Sequence, residues 1–374
     1  MSKSITVPGV SGKPCLTTGH RLYAIGSQDG LFPEEGEHMA KEMWGVWIPP
    51  IKVMDGFWLK LGEEWLQKAK EFTIMPYGCQ FTYDEEIEVI RFQFAPQEEK
   101  ALVLKITLKN NSSENRETSL TLAVKSELMP VWLSERLGIQ DGLDYARLEE
   151  GVVFVKDAQN PWTLLANASI PFTFSREGEE LLPQGKTQGK GAFFTMSSPV
   201  TLKAGESKEI VYCFAASELS PEEAKACLRR VTEKHRALLA EKVQFFEKLE
   251  EKAKLKFPAQ PEIEECYRWT QYANDWVVRD VDGVGKGVVA GYAEFPWWFG
   301  HDTTFILPAL LMQGDYDTAK STLRLIKEAS QRVNGNGRVV HEISNNGVVF
   351  YEGMSTETPQ FADVVLETYR WTGD

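Results

Sequence analysis

The sequence predicts an antiparallel β-sandwich, then a linker helix, then the opening part of a two-layer helical toroid. Three observations predict it. Alternating or β-branched runs separated by polar turns fill the chain to about residue 217, and helical periodicity begins abruptly at Ser220. Beyond Pro261, segments that are apolar on more than one face alternate with one that is apolar on a single face.

The strand runs are ALVLKITLK from Ala101, TSLTLAVKSEL from Thr118, GVVFVKD from Gly151 and TLKAGESKEIVYCF from Thr201. Ser220-Pro221-Glu222-Glu223 supplies an N-cap, a first-turn proline and two acids at the positive end of a helix. Ala224, Cys227, Leu228, Val231, Leu238 and Phe246 then share one helical face, which predicts a helix to about Lys254. KFPAQPE, Lys256 to Glu262, breaks it. The expected domains are therefore a sandwich at 1–219, a linker at 220–257 and the start of a helical domain at 258–374.

Ile263 to Asp280 spreads Trp269, Tyr272, Trp276 and Val277 around the helix, and TFILPALLM is apolar almost all round, so both are expected to be buried on two sides. Pro308 predicts a kink or a late start in the second. DYDTAKSTLRLIKEASQRV, capped by Asp315, instead keeps Ala319, Leu323, Ile326, Ala329 and Val333 on one side and Lys320, Arg324, Lys327 and Glu328 on the other, as a surface helix does. A last helix is expected from Thr358-Pro359 to a C-cap at Gly373, again apolar on more than one side. A toroid of twelve helices of about 11 residues with their connections needs on the order of 200 residues, so the segment after Pro261 reads as an incomplete one.

Hydrophobic residues make up 43% and charged residues 25% of the 374, enough for a real core. Lys plus Arg total 41 against 54 Asp plus Glu, a net charge of -13 with no basic stripe, which argues against a nucleic-acid partner. The longest apolar runs are too short for a bilayer span, and MSKSITVPGVSGKP lacks the apolar core of a signal peptide, so no membrane association and a cytoplasmic location are expected. Cys15, Cys79, Cys213, Cys227 and Cys266 are odd in number and never form CxxC. His20, His38, His235, His301 and His341 show no metal-ligand spacing, and neither a metal nor a cofactor is expected. GVGKG, Gly283 to Gly287, is too short for a phosphate loop.

Two clusters could carry chemistry. GYAEFPWWFGHDTT, Gly291 to Thr304, places Phe295, Trp297, Trp298 and Phe299 beside His301 and Asp302. Aromatic plates next to fixed polar groups suit a sugar ring, whose C-H faces pack on the π surface while its hydroxyls bond to carboxylate and imidazole. A buried aromatic corner is the other reading. The second cluster, Gly337 to Phe361, carries His341, Glu342, Glu352 and Glu357, the last just ahead of the presumed N-cap Thr358 and therefore well fixed. A plain capping carboxylate is the alternative there. Glu42 to Leu61, with Trp44, Trp47, Phe57, Trp58, Lys52 and Asp55, fits a cleft lining or, more commonly, sandwich core.

AGYAEFPWWFGHDTTFILPALLMQGDYDTAKSTL resembles the opening of the catalytic domain in glycogen-debranching (amylo-α-1,6-glucosidase) type proteins. The resemblance covers roughly Ile263 to Asp374 and implies an (α/α)6 barrel of the six-hairpin glycosidase kind behind an amino-terminal β-sandwich. It implies that Asp302 holds the terminal sugar, with His301 in place of the family's usual Arg, and that Glu357 is the proton donor. Trp297, Trp298, His341 and Glu342 are taken as substrate-binding. The expected activity is inverting hydrolysis of glucosidic bonds in an oligo- or polysaccharide, with the general base beyond Asp374 and a C-terminal fragment completing the barrel. A non-catalytic carbohydrate-binding or structural protein is the alternative.

Overall fold

The structure is a computed structural model that describes residues 3–8, 10, 12–32, 43–83, 86–183 and 189–374. His38 and Glu42 lie outside the described residues. The chain forms two compact units, Met1–Pro130 with Gln140–Lys242, and Val131–Ile139 with Val243–Asp374.

The first unit is the β-sandwich that the strand runs predict. Among the described residues one antiparallel sheet has nine strands, in spatial order Ile5–Pro8, Glu71–Met75, Gly78–Tyr83, Ile87–Phe94, Ala101–Asn110, Ser207–Ser217, Thr163–Ala168, Val152–Asp157 and Asp144–Glu149. The other runs Thr173–Ser175, Phe193–Leu202, Arg116–Ser126, Ile51–Leu61, Gly45–Ile48, Tyr23–Ser27 and Pro14–Thr18, with Glu64–Trp65 paired to Ile51–Leu61. The nearly unbroken apolar run Ala101 to Leu108 has a simple cause. Ala101 and Val103 pack under Ala224, Cys227, Leu228 and Val231 of the helix α1, Pro221–Lys252, while Leu102, Leu104, Ile106 and Leu108 are buried from the alternate face. Both faces are covered, so the run need not alternate.

Ser220 caps α1 as its sequence implies: the Glu223 amide donates to Ser220 Oγ at 3.2 Å. The described part of the Glu42–Leu61 segment, Met43–Leu61, supplies sandwich core rather than an open lining. Trp47, Phe57 and Trp58 are buried, and Lys52 pairs with Asp55 at 2.7 Å with both sealed from water.

The second unit contains four further helices, α2 Pro261–Trp276, α3 Thr303–Met312, α4 Tyr316–Val333 and α5 Glu357–Thr372. Asp315 caps α4 by accepting from the Thr318 amide, and Gly373 ends α5 in the left-handed conformation at φ 74°. Helix α4 buries Ala319, Leu323, Ile326 and Ala329 and turns Arg324, Lys327 and Glu328 to water, as expected, although Val333 stays 42% exposed. α3 begins at Thr303 and contains Pro308, so the late start is not seen.

The expectation of burial on two sides fails for α2 and α3, and the second apolar side read for α5 is likewise exposed. In α2 only Gln271, Tyr272 and Asn274 are buried. Helix α3 leaves Phe305 68% and Met312 62% exposed, and α5 exposes Val365, Leu366, Tyr369 and Trp371. Their second apolar sides have no cover within the described residues. Among these residues no helix is long and apolar enough to cross a membrane.

One loop of the sandwich is held by buried carboxylates. Glu127 accepts from the Lys190 and Gly191 amides at 3.2 and 2.9 Å, and Asp144 Oδ2 accepts from Ser126 Oγ and the Leu128 amide. A side chain at Gly191 would drive into Ser126 O, which fixes the close approach. Burial, with the Asp55 charge, pushes Glu127 up to about 7, and burial pushes Asp144 up to about 6. Folded values above those of the unfolded chain mean a stabilising contribution that is complete below the unfolded carboxylate range and lost as pH rises through 7. The sandwich melt is therefore expected to fall between pH 6 and pH 8 more steeply in wild type than in Glu127→Gln; equal slopes by calorimetry would contradict this.

Candidate active site

The two clusters singled out in the sequence meet through a short three-stranded sheet. Trp298–Phe299 pairs with Glu342–Ile343, Trp298 opposite Ile343 and Phe299 opposite Glu342, and that strand pairs with Val349–Tyr351. Gly300 makes the approach possible. Its amide donates to His341 O at 2.8 Å, and a Cβ there would lie 2.0 Å from Val340 O, so any larger residue would push the strands apart. His301 and Asp302 follow directly, Asp302 as the N-cap residue of α3, and Asp302 comes near enough to Glu342 for its charge to act on that carboxyl.

The predicted residues divide between wall and core. Trp298 is fully buried and packs with Ile326, Val340 and Ile343, so it belongs to the hydrophobic core of this unit instead of facing a ligand. Trp297 is also buried, its ring 5.0 Å from Trp132 and 6.4 Å from Phe295. For Trp298 the buried-corner reading is the one observed. His301 is half-buried, sets its ring edge-on to Phe305 at 5.2 Å, and keeps Nδ1 buried with no hydrogen-bond partner among the described residues. Asp302 is exposed and its side chain makes no cap bond to α3, which leaves the carboxylate open to a ligand.

Glu357 is the first residue of α5, where the sequence suggested a position ahead of the cap; the N-cap is Thr356. The displacement has a cause, because Thr358 Oγ1 is engaged by the Val339 amide at 3.0 Å and does not cap its own helix. Glu357 itself is fully buried. His341 Nδ1 lies 2.7 Å from Oε1, and the Met354 amide donates to Oε2 at 2.8 Å. Burial pushes this carboxyl up, but the amide of Glu357 itself, His341 and the Met354 amide together outweigh it and hold the group below the usual carboxylate range. It is therefore an anion that orients the His341 ring, which also meets Phe299 at 5.5 Å and Tyr351 at 6.0 Å edge-on.

Glu342 has the opposite character. It is buried, no hydrogen bond among the described residues occupies its carboxyl, and its value is raised, first by burial and also by the Asp302 charge, against the lowering influence of His341. Two carboxyls beside one imidazole thus hold their protons with different strength. Among the described residues no group of three or more His, Cys, Asp or Glu could hold a metal ion.

The sequence reading missed the exposed aromatics. Phe350 and Tyr351 lie at the edge of the short sheet, 47% and 46% exposed, and the Trp132 ring lies 4.6 Å from Phe350, tilted by 50°. Phe350 and Tyr351 lie inside the Gly337–Phe361 cluster, so their signal was available; Trp132 sits in PVWLSERLG among sandwich strands, where sequence proximity points elsewhere.

No protein-family model and no curated protein matches the chain. Solved structures do. It superposes on a candidate kojibiose phosphorylase from the human microbiome with a TM-score of 0.64 at 12% identity, over 95% of this chain and 53% of that one. It superposes on a bacterial glucoamylase complexed with acarbose with a TM-score of 0.60 at 9% identity, over 98% and 59%. At such identity the likeness is one of fold, a sandwich followed by helices, and the chain spans a little over half the length of each of these structures.

Glu357→Gln replaces an anion on which three donors converge, so the variant is expected to lose roughly 1–3 kcal/mol of stability at pH 7. Because the folded value is depressed, the loss should shrink as pH falls through the carboxylate range. Thermal melts at pH 7 and pH 4 check this, and a variant as stable as wild type at pH 7 would contradict it.

Proposed function

We propose that this chain forms the sugar-binding part of a glycosidic-bond-cleaving enzyme of the debranching or α-glucosidase class, acting on an oligo- or polysaccharide by inverting acid/base hydrolysis. The observation that carries the proposal is the convergence of Asp302, His341, Glu342 and Glu357 next to Phe299 and Tyr351, from segments about 40 residues apart in sequence. Sugar hydroxyls need open carboxylate and imidazole groups at an apolar plate, and here Asp302 and Tyr351 are exposed and His341 partly so. The fold shared with a glucoamylase that holds acarbose supports the same reading. Within it, 1–219 serves as the sandwich domain, 220–257 as the linker and 258–374 as the start of the catalytic domain.

Asp302 and His301 take the terminal sugar. An inverting hydrolase needs one protonated carboxyl for the leaving oxygen and a second that activates water. Burial raises the value of Glu342 while the donors around Glu357 lower its own, so of the two carboxyls Glu342 holds its proton more tightly and is the better suited to donate it. The proton donor is therefore placed at Glu342, and Glu357 becomes the group that positions His341. The water-activating base is assigned to no residue of this chain. Further helices, from a C-terminal segment or a partner fragment, supply it and cover the apolar sides of α3 and α5. The incomplete span of 53% and 59% of the superposed structures supports that assignment.

A second reading, a carbohydrate-binding protein without catalysis, draws on the ionised and fully engaged state of Glu357. Calorimetric titration and a hydrolysis screen with maltose and isomaltose distinguish the two. The purified chain is expected to bind glycan but to turn over about 10²- to 10⁴-fold more slowly than a complete enzyme, for want of the base. Ordinary enzymatic rates from this chain alone would contradict the missing base. In an assembly completed by the missing helices, Glu342→Gln should abolish cleavage, and unchanged activity would remove the donor assignment.

A further inference from the structure

We propose that Trp132 and Phe350 form a binding subsite for a second sugar ring, supplied by the segment Val131–Ile139; the inference rests on the glycan-binding reading above. The strands that flank this segment, Arg116–Ser126 and Asp144–Glu149, are sandwich strands, yet residues 131–139 belong to the helical unit. The segment is held there by directional contacts. Ser344 Oγ and Asn346 Nδ2 donate to Trp132 O at 2.7 and 3.3 Å, Asn346 Nδ2 also donates to Ser134 Oγ at 2.9 Å, and Arg136 Nη1 donates to Val349 O at 3.1 Å.

Backbone strain accompanies this anchoring. Leu133 adopts φ 69° at the start of a 3-10 turn, Ser134–Leu137, a left-handed conformation that a branched side chain rarely takes. A bulky residue kept there, next to a tryptophan, marks a segment whose aim matters more than its local comfort.

The aimed group is the Trp132 ring. It lies 5.0 Å from Trp297 and 4.6 Å from Phe350, and the Arg136 guanidinium sits 5.7 Å over the Phe350 ring. Trp132 is only half-buried and Phe350 is 47% exposed, so neither ring is consumed by the core. From Trp132 a row of ring contacts passes through Trp297, Phe295 and Phe299 to His341, with centroid separations of 5.0, 6.4, 6.0 and 5.5 Å. Trp297 and Phe299 are buried, so the rings that a sugar can reach are Trp132 with Phe350 at one end of the row and Phe295 with His341 at the other; two open aromatic patches on a shared buried support suit more than one sugar ring. The Trp132 end of the row is rimmed by Arg136, whose guanidinium keeps N–H groups beyond the one that donates to Val349 O and so can serve hydroxyls beside the stacking face.

Intrinsic fluorescence and calorimetric titration with acarbose, maltotriose and glucose test this on the full chain, with Trp132→Ala, Trp132→Phe and Phe350→Ala. Trp132→Ala should bind maltotriose about tenfold more weakly, Trp132→Phe within a few-fold of wild type, and glucose affinity should be the same in all. Phe350→Ala, at an exposed position, should weaken maltotriose in the same direction and keeps the test decisive if Trp132→Ala fails to fold. Wild-type binding of maltotriose that is unchanged in Trp132→Ala, or in Phe350→Ala should Trp132→Ala not fold, would overturn the subsite and leave the glycan-binding reading standing. A wild-type chain that binds none of the three sugars would overturn both.

Discussion

The candidate site depends on a ladder of two residue pairs. Trp298–Phe299 against Glu342–Ile343 is the contact that turns two separate loops into one surface, and it requires a backbone approach that only glycine at 300 permits. A short ladder alone is marginal. Here it is braced from behind by Trp298, Ile343, Val340 and Ile326, whose burial excludes water from the back of the strands. The tryptophan that looked like a ligand plate in the sequence is thus part of the brace, and its neighbours carry the polar groups outward.

The same ladder separates two carboxyls by environment. Ile343 enters the core with Trp298, its partner across the ladder, while Glu342 pairs with Phe299 and feels the charges of His341 and Asp302. Glu342 is shielded without donors and keeps its proton longer; Glu357, at the start of a helix and met by an imidazole and amides, gives its proton up early. Acid and anion functions are divided in this way wherever neighbouring groups feel unequal desolvation and unequal hydrogen bonding.

Much of the architecture was legible because it rests on local rules. The α1 start at Ser220, the α4 cap at Asp315 and the α5 end at Gly373 each follow from a residue whose side chain or missing side chain satisfies backbone groups. The two-sided apolar patterns of α3 and α5 are real, but periodicity states only that a face seeks cover, and cannot say whether this chain supplies it. In the site, residue types were legible and roles were not. Whether Trp298 faces a ligand or a core depends on strand register, and whether Glu357 holds a proton depends on Met354 and His341, contacts that sequence spacing does not encode. Trp132 was beyond reach for a third reason: 212 residues separate it from its anchor Ser344.

The most direct measurement of the central claim is backbone hydrogen exchange across the chain with and without saturating acarbose. If the two clusters share one sugar site, amides in 297–302 and in 339–357 gain protection together in the presence of the ligand. Demonstrated binding with protection in only one of these segments, or in neither, would contradict the account.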